Sequence, residues 1–160
     1  CAGSHRGARG RAAPLGAGAL AAGHIAVAST PIDINLAKQL NTLLANLGLK
    51  TEKLIIDPTT GGLGYGIEYS FSVMERDQMA ALVQQDEKMQ QPILNYVSFE
   101  TWKTKEAREE DEKMGPPKER AVAIEAVTAT VLLLAGSDLV VMRHPDAIAK
   151  VGEVINELCS

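Results

Sequence analysis

Four short apolar runs punctuate the chain, at residues 25–29, 54–57, 93–97 and 139–143. They are rich in Ile and Val and do not alternate with polar residues. That is the pattern of parallel strands covered on both faces. Helical patterns separate them. Leu36, Leu40, Leu43, Leu44 and Leu47 form one apolar stripe, with Asp33 placed to cap its start and Gly48 to stop it. Ile67, Phe71, Met74 and Leu82 fall on one face of a second helix. Residues 120–134 make a third, ended by Gly136. Ile148, Val151, Ile155 and Leu158 make the last, opened by Pro145.

Strand followed by helix, four times over, predicts an α/β fold with a parallel sheet and right-handed crossovers. Four such units suit a small doubly wound sheet. They are also half of a (β/α)8 TIM barrel, which typically needs ~250 residues. The charged stretch 103–118, closed by Gly115-Pro116-Pro117, reads as a short solvated helix and a loop; an acidic docking site is the alternative. Residues 1–22 are mostly Ala, Gly, Arg and Pro. Ala19 to Ala22 suit a helix leading into Gly23, and the part before them shows no hydrophobic period, as a tail or a misread start would.

Length bounds the chain to one core: 160 residues are usually one domain. The net charge of -4 is unevenly placed, because Arg6, Arg9 and Arg11 give residues 1–22 a charge of +3 and leave -7 on the rest. An acidic body gives no footprint for nucleic acid. No apolar run approaches the roughly 20 residues that span a membrane. Cys1 and Cys159 lie near opposite ends with no CxxC spacing, which argues against an internal zinc or iron-sulfur site and for free thiols in a reducing cytoplasm.

Candidate chemistry gathers at the strand ends. Ser29, Thr30, residues 57–65, residues 95–98, Arg143 and His144 are predicted to share one rim. Gly61, Gly62, Gly64 and Gly66 fill the loop after the second strand. Such a loop can bind an anion through backbone N–H groups or be a structural turn, and spacing alone leaves both open. It is neither a P-loop nor a dinucleotide fingerprint, since no Gly-Lys-Ser/Thr follows and the glycine spacing is wrong. Asp57 reads as a carboxylate capping that loop, with a general base as the second role. Glu68 suits the first turn of a helix. Glu75 and Arg76 suggest a buried ion-pair network. Arg143 faces either a ligand anion or a neighbouring carboxylate. His144 reads as a capping or surface histidine more than a metal ligand, and His24 as structural. No Ser/His/Asp or Cys/His elbow is present.

The run Ile56-Asp-Pro-Thr-Thr-Gly-Gly-Leu-Gly-Tyr-Gly-Ile-Glu-Tyr-Ser-Phe-Ser-Val-Met-Glu-Arg76 closely resembles the small (delta) subunit of the corrinoid iron-sulfur protein, of the acetyl-CoA decarbonylase/synthase system. Ser29-Thr-Pro-Ile-Asp-Ile-Asn-Leu-Ala-Lys-Gln-Leu-Asn41, Trp102-Lys-Thr-Lys-Glu-Ala107, Glu125-Ala-Val-Thr-Ala-Thr130 and Val141-Met-Arg-His-Pro145 agree with it in order and spacing. The resemblance spans roughly residues 23–158 and sets residues 1–22 outside it. It implies that residues 23–160 are the last four units, the C-terminal half, of the family's TIM barrel. A half-barrel exposes two strand edges and an apolar face, so it should be marginal alone or should associate.

The resemblance implies a role as well. Family members pair with a large corrinoid iron-sulfur subunit, and their loop face covers its corrinoid (cobalamin). The methyl group comes from a methyltetrahydrofolate or methyltetrahydropterin methyltransferase. It goes on to acetyl-CoA synthase/CO dehydrogenase of the acetyl-CoA (Wood-Ljungdahl) pathway. The small subunit holds no iron-sulfur cluster and surrounds the cobalt without ligating it; the Asp-x-His-x-x-Gly motif of cobalt-ligating domains is missing from this chain. Thr59, Thr60, Gly61, Gly62, Leu63, Gly64 and Tyr65 match the family's loop, and Arg143 and His144 its final strand end. These positions are therefore expected to line the corrinoid. Asp77-Gln78-Met79 departs from the Ile-Arg-Leu common in the family. Two alternatives compete: a pterin-binding barrel methyltransferase using Asp57 and Asn95, and a purely architectural subunit.

Overall fold

The computed structural model describes residues 5–61 and 63–160. Among the described residues there are four strands: β1 (Ala26–Ser29), β2 (Leu54–Asp57), β3 (Leu94–Asn95) and β4 (Leu139–Val140). β1 pairs parallel with β2, and β3 parallel with β4. A parallel bridge between Ile56 and Ile93 joins the two ladders, with Ile56 N–H donating to Pro92 O at 2.8 Å. The order is therefore β1-β2-β3-β4, each strand beside its predecessor. The α/β class and parallel pairing expected from the apolar runs are borne out. The strands at 93–97 and 139–143 are shorter than expected, because Val97 already begins a helix and the chain after Val140 turns towards the next one.

The helices are α1 (His5–Ala22), α2 (Ile34–Asn46), α3 (Glu68–Gln78), α4 (Val97–Trp102), α5 (Lys105–Arg108), α6 (Pro117–Leu134) and α7 (Pro145–Cys159). α1 runs well before Ala19, where no period announced it. The punctuation residues act as read. The Asp33 carboxylate accepts from Asn35 N–H at 2.8 Å and caps α2. Gly48 and Gly136 take φ of 93° and 101° just past α2 and α6. The next residue then bonds back across the turn, Leu49 to Leu44 O and Ser137 to Leu132 O.

The main core packs Ile56, Met74, Val97, Ala129 and Leu132 with the buried faces of α3, α6 and α7. A smaller cluster of Ala28, Leu44, Leu49 and Leu54 sits between α2 and β1–β2. Two expected faces are corrected. α3 passes directly into a π-helical turn at Met79–Val83, with Gln84 N–H reaching Met79 O. The wider turn shifts the phase of everything after it, so Ala80 and Ala81 are buried and Leu82 is 75% exposed. On α7 the inward face is Ala147 and Val151, while Ile148, Ile155 and Leu158 are exposed. Glu75 and Arg76 are also exposed and form no buried network; the buried acid of α3 is Asp77, on the same face as Ser70, Val73 and Met74.

Candidate functional site

Parallel strands deliver their carboxyl ends to one side, and the loop after β2 begins there. Asp57 Oδ1 accepts from Thr59 N–H at 2.9 Å, which turns the chain across Pro58. Thr59 takes φ 67°, uncommon for a β-branched residue, and its hydroxyl donates to Thr30 O. Ser70 of α3 donates to Thr59 O at 3.4 Å. Thr60 is buried, and Leu63 N–H closes a turn onto Thr60 O at 3.2 Å. Asn95 Nδ2 reaches Thr60 Oγ1 at 3.5 Å, tying the loop to the end of β3. Gly61 and Gly64 are exposed; a side chain at Gly61 would meet the Thr59 methyl at 3.1 Å, and at Gly64 open space. Tyr65 is 90% exposed. Gly62, expected to line the same loop, lies outside the described residues, as does Cys1.

A second constellation forms where β4 runs into α7. Glu125 of α6 is fully buried. Its carboxylate accepts from Arg143 N–H, from His144 N–H at 3.2 Å and from the Trp102 indole N–H at 2.8 Å. The Arg143 guanidinium lies over the Trp102 ring, 4.8 Å from its centroid. The His144 ring stacks on Trp102 at 5.9 Å and 15°. His144 Nδ1 accepts from Asp146 N–H at 3.2 Å and so caps α7. The Asp146 carboxylate lies 3.7 Å from the same atom. Phe99, Trp102, Lys103, Arg108 and Arg143 line an open cleft of about 450 Å³ beside this cluster.

Electrostatics follow burial. Burial pushes the Asp57 carboxyl up; bonds from the Ser29 hydroxyl and Thr59 N–H oppose this, and nearby Glu100 adds to it. Glu100 pairs with Lys103. Asp77, 1% exposed with no hydrogen bond to either oxygen, is pushed up to about 6 by burial, against the pull of Lys38. Thr30 Oγ1, Asn95 Oδ1 and Thr101 Oγ1 are likewise buried without a partner. Among the described residues, no three His, Cys, Asp or Glu side chains gather as a metal site. No described helix is long and apolar enough to cross a membrane.

The structure thus brings Thr59, Thr60 and Asn95 together and sets Arg143 and His144 in a separate cluster across β3. Among the described residues the Arg143 side chain meets no carboxylate; the acid it approaches, Glu125, binds its backbone N–H. Sequence reasoning passed over Glu125, Trp102 and Glu100 as individual residues. Glu125 had a readable signal, being the one charge between Arg120 and Asp138 on an otherwise apolar helix. Such an acid is buried only when donors await it.

Comparison with known proteins gives a consistent result. The family model for the CO dehydrogenase/acetyl-CoA synthase delta subunit matches residues 13–154. The chain is 44% identical over 133 residues to the acetyl-CoA decarbonylase/synthase complex subunit delta of Methanopyrus kandleri, covering 83% of this chain and 33% of that protein. It is 37% identical over 142 residues to the corresponding subunit of Archaeoglobus fulgidus, covering 85% and 31%. Subunit delta 2 of Methanosarcina acetivorans is 34% identical over 151 residues, covering 91% and 35%. The chain spans about a third of the length of these relatives.

Proposed function

The chain belongs to the CO dehydrogenase/acetyl-CoA synthase delta subunit family, and from that premise we propose that its strand-end face covers the corrinoid of a larger iron-sulfur subunit during methyl transfer. One observation carries the reading. The four parallel strands send residues 59–61 and 63–65, Asn95, Arg143 and His144 to the same side of the sheet. The strand order supports treating these units as the C-terminal half of a TIM barrel. A barrel adds each strand beside the one before, whereas a doubly wound sheet reverses at a switch point.

The residues present suit enclosure more than ligation. No described cluster offers a set of metal ligands, while Tyr65, Tyr69, Tyr96 and Phe99 expose broad apolar rings. Gly64 leaves open space above the main chain, and the unpartnered Asn95 Oδ1 and Thr30 Oγ1 could take donors from an amide edge. When bound, the corrinoid supplies a cobalt centre that accepts and donates the methyl group. Here the chain excludes water with its rings and holds the loop through the Asp57, Thr59 and Thr60 bonds. The partners implied are the large corrinoid subunit, a methyltetrahydrofolate or methyltetrahydropterin methyltransferase, and acetyl-CoA synthase/CO dehydrogenase.

A second reading, a pterin-binding methyltransferase, is favoured by one specific feature: Asp57 and Asn95 are both buried at strand ends, and Asn95 Oδ1 has no partner. Co-expression with a corrinoid-bearing large subunit separates the two. Co-elution with shifted corrinoid absorption bands supports the cover. Co-elution with unshifted bands reduces the chain to an architectural role. Binding of methyltetrahydrofolate by the chain without a partner supports the pterin reading.

A further inference from the structure

We propose that the cleft between α4, α5 and the end of β4 binds an oxyanion, a phosphate or carboxylate, carried on a flat apolar body. Three cations line it, and they are held in different ways. Lys103 is neutralised by Glu100 and rests over the Phe99 ring at 4.8 Å. Arg108 is anchored by neutral acceptors, donating to Lys103 O at 2.7 Å and Thr104 O at 3.3 Å. Arg143 stands over the Trp102 ring, its guanidinium carbon 4.8 Å from the centroid, and the guanidinium has no carboxylate partner among the described residues.

Two guanidinium charges therefore remain unmatched at one cleft of a chain whose net charge is -4. One guanidinium is held over a ring and the other by carbonyls, so both are positioned before any ligand arrives. A planar, pre-positioned guanidinium suits the paired oxygens of phosphate and carboxylate. Phe99 and Met142 supply an apolar wall beside these donors, and Phe99 is exposed. A volume of about 450 Å³ matches clefts that take small organic ligands. The cleft is built from α4, α5 and the β4 end, apart from the glycine loop after β2. The inference does not rest on the corrinoid reading, since the chain would bind such an anion with no corrinoid present.

Trp102 is the chain's single tryptophan and forms the cleft wall, so its fluorescence reports on the site. The chain is titrated with adenosine monophosphate and 4-aminobenzoate as flat phosphate and carboxylate probes, and with uncharged adenosine as control. Equilibrium dialysis of the same probes keeps the result independent of changes a substitution makes to indole emission. Saturable binding of either charged probe is expected, with none for adenosine, and the probe that binds identifies the source of the oxyanion. Arg143→Met and Arg108→Met should each weaken binding about tenfold or more, Arg143→Lys less, and Lys150→Met on α7, which is not among the cleft's lining residues, not at all. Failure of both charged probes to bind, or binding undiminished in both arginine variants, overturns the proposal.

Discussion

The indole N–H of Trp102 donates to Glu125 Oε2 at 2.8 Å, joining α4 to α6 within the core. The same carboxylate receives the backbone N–H groups of Arg143 and His144, so one buried acid fixes two helices and the turn into α7. Glu125→Gln keeps the shape but replaces one acceptor oxygen with a donor facing donors. We expect a loss of about 2 kcal/mol, read as a lower urea midpoint at unchanged slope, with a red shift of Trp102 emission. An unchanged midpoint would show that these donors do not depend on the carboxylate.

Asp77 predicts a pH dependence. Its ordinary value is 3.8 and burial pushes it to about 6. Between those values the folded chain holds a proton that the unfolded chain releases. Stability should therefore be greatest below pH 4 as far as this group is concerned, and fall as pH rises through 6, by as much as roughly 3 kcal/mol. Lys38, itself paired with Asp86, moderates the fall. Asp77→Leu should raise stability at pH 7.5 and flatten the slope; Asp57, raised in the same direction by burial, contributes to the slope that is left. A wild-type profile flat from pH 4 to 6 would refute this.

Gly136 and Gly64 should respond oppositely to alanine. At Gly136 the φ of 101° disfavours any side chain, and a Cβ would stand 1.4 Å from Gln78 Nε2. Gly136→Ala should cost 1–2 kcal/mol or more, by an order-of-magnitude reckoning of ~1–2 for left-handed backbone alone. Gly64→Ala meets nothing within 4 Å and should stay within about 0.5 kcal/mol. Thermal midpoints of the two variants test the contrast, and equal midpoints would defeat it.

His144→Ala removes the cap of α7 and the ring stacked on Trp102. A cost of about 1 kcal/mol is expected, with His144→Ser recovering most of it by capping through its hydroxyl. Recovery of stability without recovery of the indole spectrum would separate the cap from the stack. Equal loss in both variants would mean that the cap contributes nothing.

The class, the parallel pairing and the helix stops were legible, the stops because they rest on local chemistry: Asp33 before a leucine stripe, Gly48 and Gly136 at positive φ, Pro145 at a helix start. The capping roles of Asp57 and His144 were readable for the same reason. What escaped depends on distant neighbours. Nothing near Glu125 in sequence announces three donors supplied by α4 and the β4–α7 turn. Leu82 was misplaced because a fixed helical period cannot anticipate a π-helical turn. Asp77 sits on a core stripe where pattern alone assigns a hydrophobe, and only the packing of α3 reveals it as buried.

That π-helical turn at Met79–Val83 also marks where the chain's length can change. A wider turn holds one residue beyond the ordinary repeat, and each residue rotates a helix by roughly 100°. Deleting one residue there would restore the ordinary repeat and leave Ser70, Val73 and Met74 in place. Leu82 would swing towards the interior now lined by Ala81, exchanging a small contact for a large one. A variant one residue shorter at this place is expected to keep the strands in register and to differ in which side chain plugs the base of α3.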